Sequence, residues 1–247
     1  HSASPDTDRS QPARSRGLIL LRFSLRHGLL NEFFKYMWLN VPMPSFKISY
    51  SNENLKADAE TLAAKLGLGL QGSSGDEKVL PKADYLLTFK PSGLCLESTQ
   101  QGGHGPIRCD FDSGTITHRR KYGGGNGQSI AKAVGISGKF MPHVLDLTAG
   151  MGSDGFVLAG LGCRLTLLER NSIVYSLLYD GLQRASLAGM GDSGLAEVVA
   201  RIDLLEADSL TYLQSLESAQ LPDVIYIDPM FPARKKSAKV KKEMQVF

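Results

Sequence analysis

The stretch that most constrains this chain is Val144-Leu-Asp-Leu-Thr-Ala-Gly-Met-Gly-Ser-Asp-Gly155. An apolar run ending in an acid passes directly into a glycine-punctuated turn and then into an apolar segment of helical character. That succession reads as a strand, a tight turn and a helix start. Gly150 and Gly152 can take backbone angles closed to other residues, and Ser153 or Asp154 can cap the helix. In an α/β protein such a turn lies at the carboxyl end of a parallel strand, where nucleotide-like ligands are held on the main chain. A lone Gly-x-Gly is also an ordinary strand-to-helix turn, so the residues downstream have to decide.

They continue the alternation. Strands are predicted at Val144–Leu147, Arg164–Glu169, Arg201–Glu206 and Val224–Asp228, with helices at Ser153–Leu161, Ser172–Leu187 and Ser209–Leu216. Alternating strands and helices argue for a parallel, doubly wound sheet, with all carboxyl ends on one edge. The second end carries Glu169-Arg170, with the acid about twenty residues past the turn, a separation that suits the hydroxyls of an adenosine ribose. The third carries Asp208-Ser209, where the carboxylate can take an exocyclic amine of adenine or simply cap the next helix. The fourth ends in Ile225-Tyr-Ile-Asp-Pro-Met-Phe-Pro232. There Asp228 can accept from a planar amine, the proline-stiffened backbone at Pro229 can present a carbonyl, and Phe231 can stack on a ring.

Upstream, residues 46–116 read as a small α+β domain. Lys47–Tyr50 suits a short strand and Asn52–Leu66 a helix stopped by Gly67. Tyr85–Lys90, Leu94–Ser98 and Ile107–Phe111 suit a small antiparallel sheet. Residues 117–142 form a basic, glycine-rich connector and a helix from Ser129 to Val134, and residues 143–247 the doubly wound domain. Residues 1–45 begin with His rather than Met and are rich in Ser, Pro and Arg. They are expected to be a leader, disordered or foreign to the fold.

The formal net charge of +3 is mild, but its distribution is uneven. Arg119, Arg120 and Lys121 beside Tyr122 and three glycines form one cluster; Lys235 and Lys236 belong to another near the end of the sequence. Charge runs ordinarily read as solvated faces, yet basic residues beside exposed backbone amides also suit a phosphate-bearing partner. Three scattered cysteines give no disulfide framework and no zinc spacing, and imply a reducing compartment. No apolar window is long enough to span a membrane.

These motifs together resemble the class I S-adenosylmethionine-dependent methyltransferases that act on exocyclic amines. More narrowly, His118-Arg-Arg-Lys-Tyr-Gly-Gly-Gly125, Ala131-Lys-Ala-Val-Gly135, Leu168-Glu-Arg-Asn171, Asp228-Pro-Met-Phe-Pro232 and Val240-Lys-Lys-Glu-Met244 resemble the RsmJ family. These are bacterial enzymes that methylate the N2 amine of a guanine in small-subunit (16S) ribosomal RNA. The resemblance implies a Rossmann-like methyltransferase sheet and S-adenosylmethionine as cofactor. It implies cofactor contacts at Ser153, Asp154, Glu169, Arg170, Asp208, Ser209 and Asp228, to which the glycine turn adds Asp146, Gly150 and Gly152, and catalysis is expected at Asp228, Pro229 and Phe231. RNA contacts are expected at Arg119, Arg120, Lys121, Tyr122, Lys235 and Lys236, no metal is expected, and the partner is ribosomal RNA or the assembled small subunit in the cytoplasm.

The chain departs from the family in two ways. Ser153 stands where the family commonly has Arg, and the family continues well past Phe247. Four strands also leave this sheet short of a fifth beside the fourth, so truncation after the fourth strand is expected. Competing readings are a nicotinamide-dependent oxidoreductase, which the glycine turn and Glu169 would also serve, a non-enzymatic RNA-binding protein, and an amino-methyltransferase acting on DNA or protein.

Overall fold

The computed structural model describes residues 44–72, 83–101, 105–111 and 129–228. Strands β1 (Phe46–Tyr50), β2 (Tyr85–Lys90) and β3 (Gly93–Ser98) form a sheet in that order. β2 and β3 are antiparallel, as expected, and the third strand of the sheet is β1, which runs parallel to β2. The physical reason is helix α1 (Lys56–Leu66), which lies between β1 and β2 in the chain as the crossover that parallel neighbours require. Its buried Ala59 and Ala63 let it sit close against Ile48, Leu87, Leu94 and Leu96.

Around this sheet, two segments differ from the sequence reading. Residues 53–55 form a separate 3-10 turn before α1, and the Asn52 side chain makes no capping bond to it. Ile107–Phe111 is not a strand; Ile107 makes one antiparallel bridge to Leu96, and Cys109 and Phe111 then pack beside Gly181. There Phe111 stacks on Phe156 with ring centroids 4.4 Å apart.

The second sheet follows α2 (Ser129–Ala133). It contains β4 (His143–Asp146), β5 (Arg164–Glu169), β6 (Ile202–Glu206) and β7 (Val224–Tyr226), all parallel, in the order β6-β5-β4-β7. Helices α3 (Ser153–Gly160), α4 (Ser172–Ala188), α5 (Ser193–Val199) and α6 (Ser209–Ser215) connect them. α5 was not predicted; its seven residues are capped by Asp192, whose carboxylate accepts from Leu195 N–H. Val144, Leu165 and Leu167 pack with α3, α4 and α5, while Leu145, Leu168 and Ile225 pack with Tyr212, Leu213 and Leu216 around α6. Burial on both faces accounts for the nearly continuous apolar character of β4 and β5.

α4 serves both sheets. Leu177 lies in the core of the first, and Leu178 and Leu182 in that of the second. Its Arg184 donates to Asp180 at 2.8 Å, to Asp110 at 2.7 Å and to the Cys109 carbonyl, while Asp180 accepts from Leu94 N–H on β3. None of the described helices is long and apolar enough to cross a membrane.

Candidate active site

The strand order reverses at β4: the chain builds outward through β5 and β6, then returns to place β7 on the other side of β4. At such a switch point the loops leaving two adjacent strands part in opposite directions and open a crevice. The loops meeting there carry the glycine turn after β4 and Asp228 after β7, with the end of β5 alongside.

Gly150 and Gly152 both have left-handed backbone, at φ +54° and +69°. Their surroundings differ. A Cβ on Gly152 would stand 2.6 Å from Leu178 Cδ1 and 3.3 Å from Phe111 Cζ, so this glycine lets α3 start against α4 and the Phe111 ring. At Gly150 the nearest atom would be the Thr148 carbonyl oxygen, 3.9 Å away. Of the two, Gly150 is the one beside which a ligand can approach the main chain.

Glu169 closes this loop onto β5. Its Oε2 accepts from Gly150 N–H at 3.0 Å and its Oε1 from Asn171 N–H at 2.8 Å. Burial raises its carboxyl above the ordinary carboxylate range, against those backbone bonds, which act to lower it. Each oxygen keeps a further lone pair, so the carboxylate can still accept ligand hydroxyls. Asn171 in turn caps α4, its Oδ1 accepting from Ile173 and Val174 N–H.

Asp146 is 2% exposed, and its Oδ1 accepts from Thr148 N–H at 2.9 Å. Burial pushes its carboxyl up to about 7; the neighbouring charges of Asp154, Asp228 and Glu169 add to that rise. Asp154, in the first turn of α3, accepts from Tyr226 Oη at 2.8 Å, and burial raises that phenol well above its usual range. Asp228 N–H donates to Thr148 Oγ1 at 2.9 Å. Asp154, Asp228 and Glu169 therefore lie close enough to the buried Asp146 to act on its charge, a field that favours a cationic ligand. A sulfonium carrying an amino group, beside Gly150 and with Glu169 for the ribose, fits these residues.

The other expected contacts stand apart in character. Ser153 is the exposed first residue of α3, and Arg170 is exposed directly after Glu169. Asp208 is exposed and caps α6, its Oδ1 accepting from Thr211 N–H at 3.0 Å and from Thr211 Oγ1. Ser209 is buried, and its hydroxyl donates to the Leu147 carbonyl at 2.6 Å. The structure thus gives both residues local roles. Pro229, Phe231, Arg119, Arg120, Lys121, Tyr122, Lys235 and Lys236 lie outside the described residues. Thr148, Asn171 and Tyr226 were not singled out from the sequence. Asn171 could have been, since an Asn directly before an apolar helical run is a cap signal.

Comparison with known proteins gives the family. A family profile described as "Putative SAM-dependent methyltransferase" matches residues 76–247. The ribosomal RNA small subunit methyltransferase J of Cellvibrio japonicus is 49% identical over 190 residues, covering 76% of this chain and 71% of that protein. Its namesake in Pseudomonas fluorescens is 47% identical over 195 residues, covering 79% and 70%. Among solved structures, a SAM-dependent methyltransferase of Neisseria gonorrhoeae is similar with a TM-score of 0.55 and 32% identity, over 75% of this chain and 70% of that one.

Proposed function

Because the chain belongs to the ribosomal RNA small subunit methyltransferase J family of SAM-dependent methyltransferases, we propose that it methylates the exocyclic N2 amine of a guanine in 16S ribosomal RNA. The observation that carries the reading is the convergence of Gly150, Glu169 and Asp228 at the switch point of the sheet, with Asp228 joined to the glycine loop through Thr148.

S-adenosylmethionine supplies an electrophilic methyl on its sulfonium. The protein's part is alignment, which can contribute about 7 to 11 kcal/mol without a covalent intermediate. A guanine amine is a weak nucleophile because its lone pair is delocalised into the ring. Asp228 accepts an N–H from that amine, so the lone pair is held out of the ring and toward the methyl. With the cofactor bound, formation of the nitrogen–carbon bond would be matched by cleavage of the methyl–sulfur bond, leaving a neutral thioether, and the proton shed by the nitrogen would pass to the Asp228 carboxylate or to water. The Pro229 carbonyl assists in orienting the amine, and Phe231 stacks on the unstacked base. The cofactor is held by Gly150, Asp154 and Glu169, with Asp146 beneath them; Gly152, Ser153, Arg170, Asp208 and Ser209 complete that set.

Arg119, Arg120, Lys121, Tyr122, Lys235 and Lys236 grip the RNA. The substrate is free 16S RNA or the small subunit, and the enzyme works in the cytoplasm. The division into a leader (1–45), a small α+β domain (46–116), a connector (117–142) and a cofactor-binding domain (143–247) is part of this reading.

The test is transfer of labelled methyl from S-adenosylmethionine to small ribosomal subunits lacking the modification, with free RNA and DNA as controls. Wild type labels the ribosomal substrate, and Asp228→Ala keeps its fold but loses transfer. Label on DNA alone, or full activity in Asp228→Ala, would sink the proposal.

A further inference from the structure

The register of β4 against β7 pairs Val144 with Val224, Leu145 with Ile225 and Asp146 with Tyr226. Leu147 N–H still donates to the Tyr226 carbonyl at 3.0 Å. Continued two residues further, the register would set Thr148 opposite Asp228. At Leu147–Thr148, however, the backbone turns away into the glycine loop. The link across to β7 persists in another form: the Thr148 hydroxyl, rather than a main-chain carbonyl, accepts the Asp228 N–H at 2.9 Å. Thr148 itself is held from below, its own N–H donating to the buried Asp146 carboxylate at 2.9 Å.

We infer that Thr148 is a positioning residue, whose hydroxyl fixes the Asp228 loop against the cofactor-binding turn so that amine and methyl are presented to one another. This rests on the reading of Asp228 as the amine acceptor. One residue thus belongs to the cofactor turn by its backbone and to the amine loop by its side chain. It lies close to Gly150 in the chain, yet its role is in the chemical step rather than in affinity. A second link between the same elements runs from Tyr226 Oη to Asp154 in the first turn of α3 and does not involve the Asp228 main chain.

The experiment compares Thr148→Val, which keeps the shape and loses the acceptor, with Thr148→Ser, which keeps the acceptor. Cofactor affinity by calorimetry, single-turnover methyl transfer to small subunits, and hydrogen exchange at the Asp228 amide by NMR are read for each. Thr148→Val is expected to bind S-adenosylmethionine within about threefold of wild type and to transfer methyl roughly 10 to 100-fold more slowly, the range that small misplacements produce. The Asp228 amide exchanges faster in it, and Thr148→Ser recovers most of both the rate and the protection. Wild-type rate and protection in Thr148→Val would overturn the inference, as would a Thr148→Ser as slow as Thr148→Val. Asp228→Ala in the same assay separates the two claims. If it is inactive while Thr148→Val is normal, only the positioning role falls; if it is active, the functional reading falls and takes this inference with it.

Discussion

Alanine at Gly152 and at Gly150 should have opposite signatures, and the structure sets the magnitudes. Both positions are left-handed, at φ +69° and +54°, which costs an alanine about 1 to 2 kcal/mol. Gly152 carries a second term, because the new methyl would lie 2.6 Å from Leu178 Cδ1 and 3.3 Å from Phe111 Cζ. Both neighbours are buried in the core, and displacing packed side chains typically costs about 1 to 3 kcal/mol more. At roughly 2 to 4 °C per kcal/mol for a chain of this size, Gly152→Ala lowers the Tm by about 4 to 20 °C and Gly150→Ala by about 2 to 8 °C. Affinity runs the other way. The Gly150 methyl meets nothing closer than 3.9 Å within the protein, so its effect falls on the ligand that comes alongside. Thermal denaturation followed by circular dichroism, with calorimetric titration of S-adenosylmethionine, reads both quantities. Equal Tm losses in the two variants would refute the packing account of Gly152. Unchanged affinity in Gly150→Ala would refute the placement of the cofactor beside Gly150.

Asp208 can be tested for a role beyond its cap. Asp208→Ala should lose about 0.5 to 2 kcal/mol of stability with the Thr211 bonds, whereas Asp208→Asn keeps the cap and removes only the charge. Weaker cofactor binding in Asp208→Asn at unchanged stability would assign the carboxylate to the cofactor; unchanged binding would leave it a cap. Asp146 predicts a pH dependence. Burial pushes its carboxyl up to about 7, so the folded protein retains a proton that the unfolded chain releases at about pH 4. Its contribution to stability is present below that lower value and is lost as pH rises through about 7, and Asp146→Asn should flatten this limb in denaturant titrations between pH 4 and 8. A wild-type stability that instead rises over this range relative to Asp146→Asn would contradict the assignment. A cation bound beside Asp146 favours its ionised form, so cofactor binding near pH 7 should release protons. Calorimetry in buffers of different ionisation enthalpy measures that release, and its survival in Asp146→Asn would place the protons elsewhere.

Much of the fold was legible because β4 and β5 are buried on both faces. Leu165-Thr-Leu-Leu168 is an apolar run bounded by Gly162 and Glu169, and the strand occupies Arg164–Glu169 as read. Pairing direction left no such mark. Lys47–Tyr50 and Tyr85–Lys90 look alike whether they run parallel or antiparallel, and only the presence of α1 between them decides it. Ile107–Phe111 alternates like a strand for a different reason. Cys109 and Phe111 are buried against α4, where a Cβ on Gly181 would come within 2.5 Å of Cys109 Cβ. The alternation there reports insertion beside a helix. α5 escaped notice because seven residues hold too little periodicity, although Asp192 followed by Leu195 and Val198 carries a cap and an i, i+3 apolar pair.

At the site, the residues legible in the sequence are those whose position in the chain already places them at a strand end. Asp146, Glu169 and Asp228 each follow an apolar run, and a parallel sheet brings such ends to one edge without further information. Thr148 and Tyr226 could not be found that way. Their partners, Asp228 and Asp154, lie 80 and 72 residues distant, and the pairing depends on β7 returning to β4 rather than adding beyond β6. The sequence reading placed the strand ends on one edge but said nothing of which strands are neighbours. Asp208 shows the converse. Its strand end is the one at β6, two strands removed from β4, and there the carboxylate turns to its own helix. Distance from the switch point thus separates the acids that converge on Asp146 from the one engaged in its own helix cap, and the strand order supplies that distance.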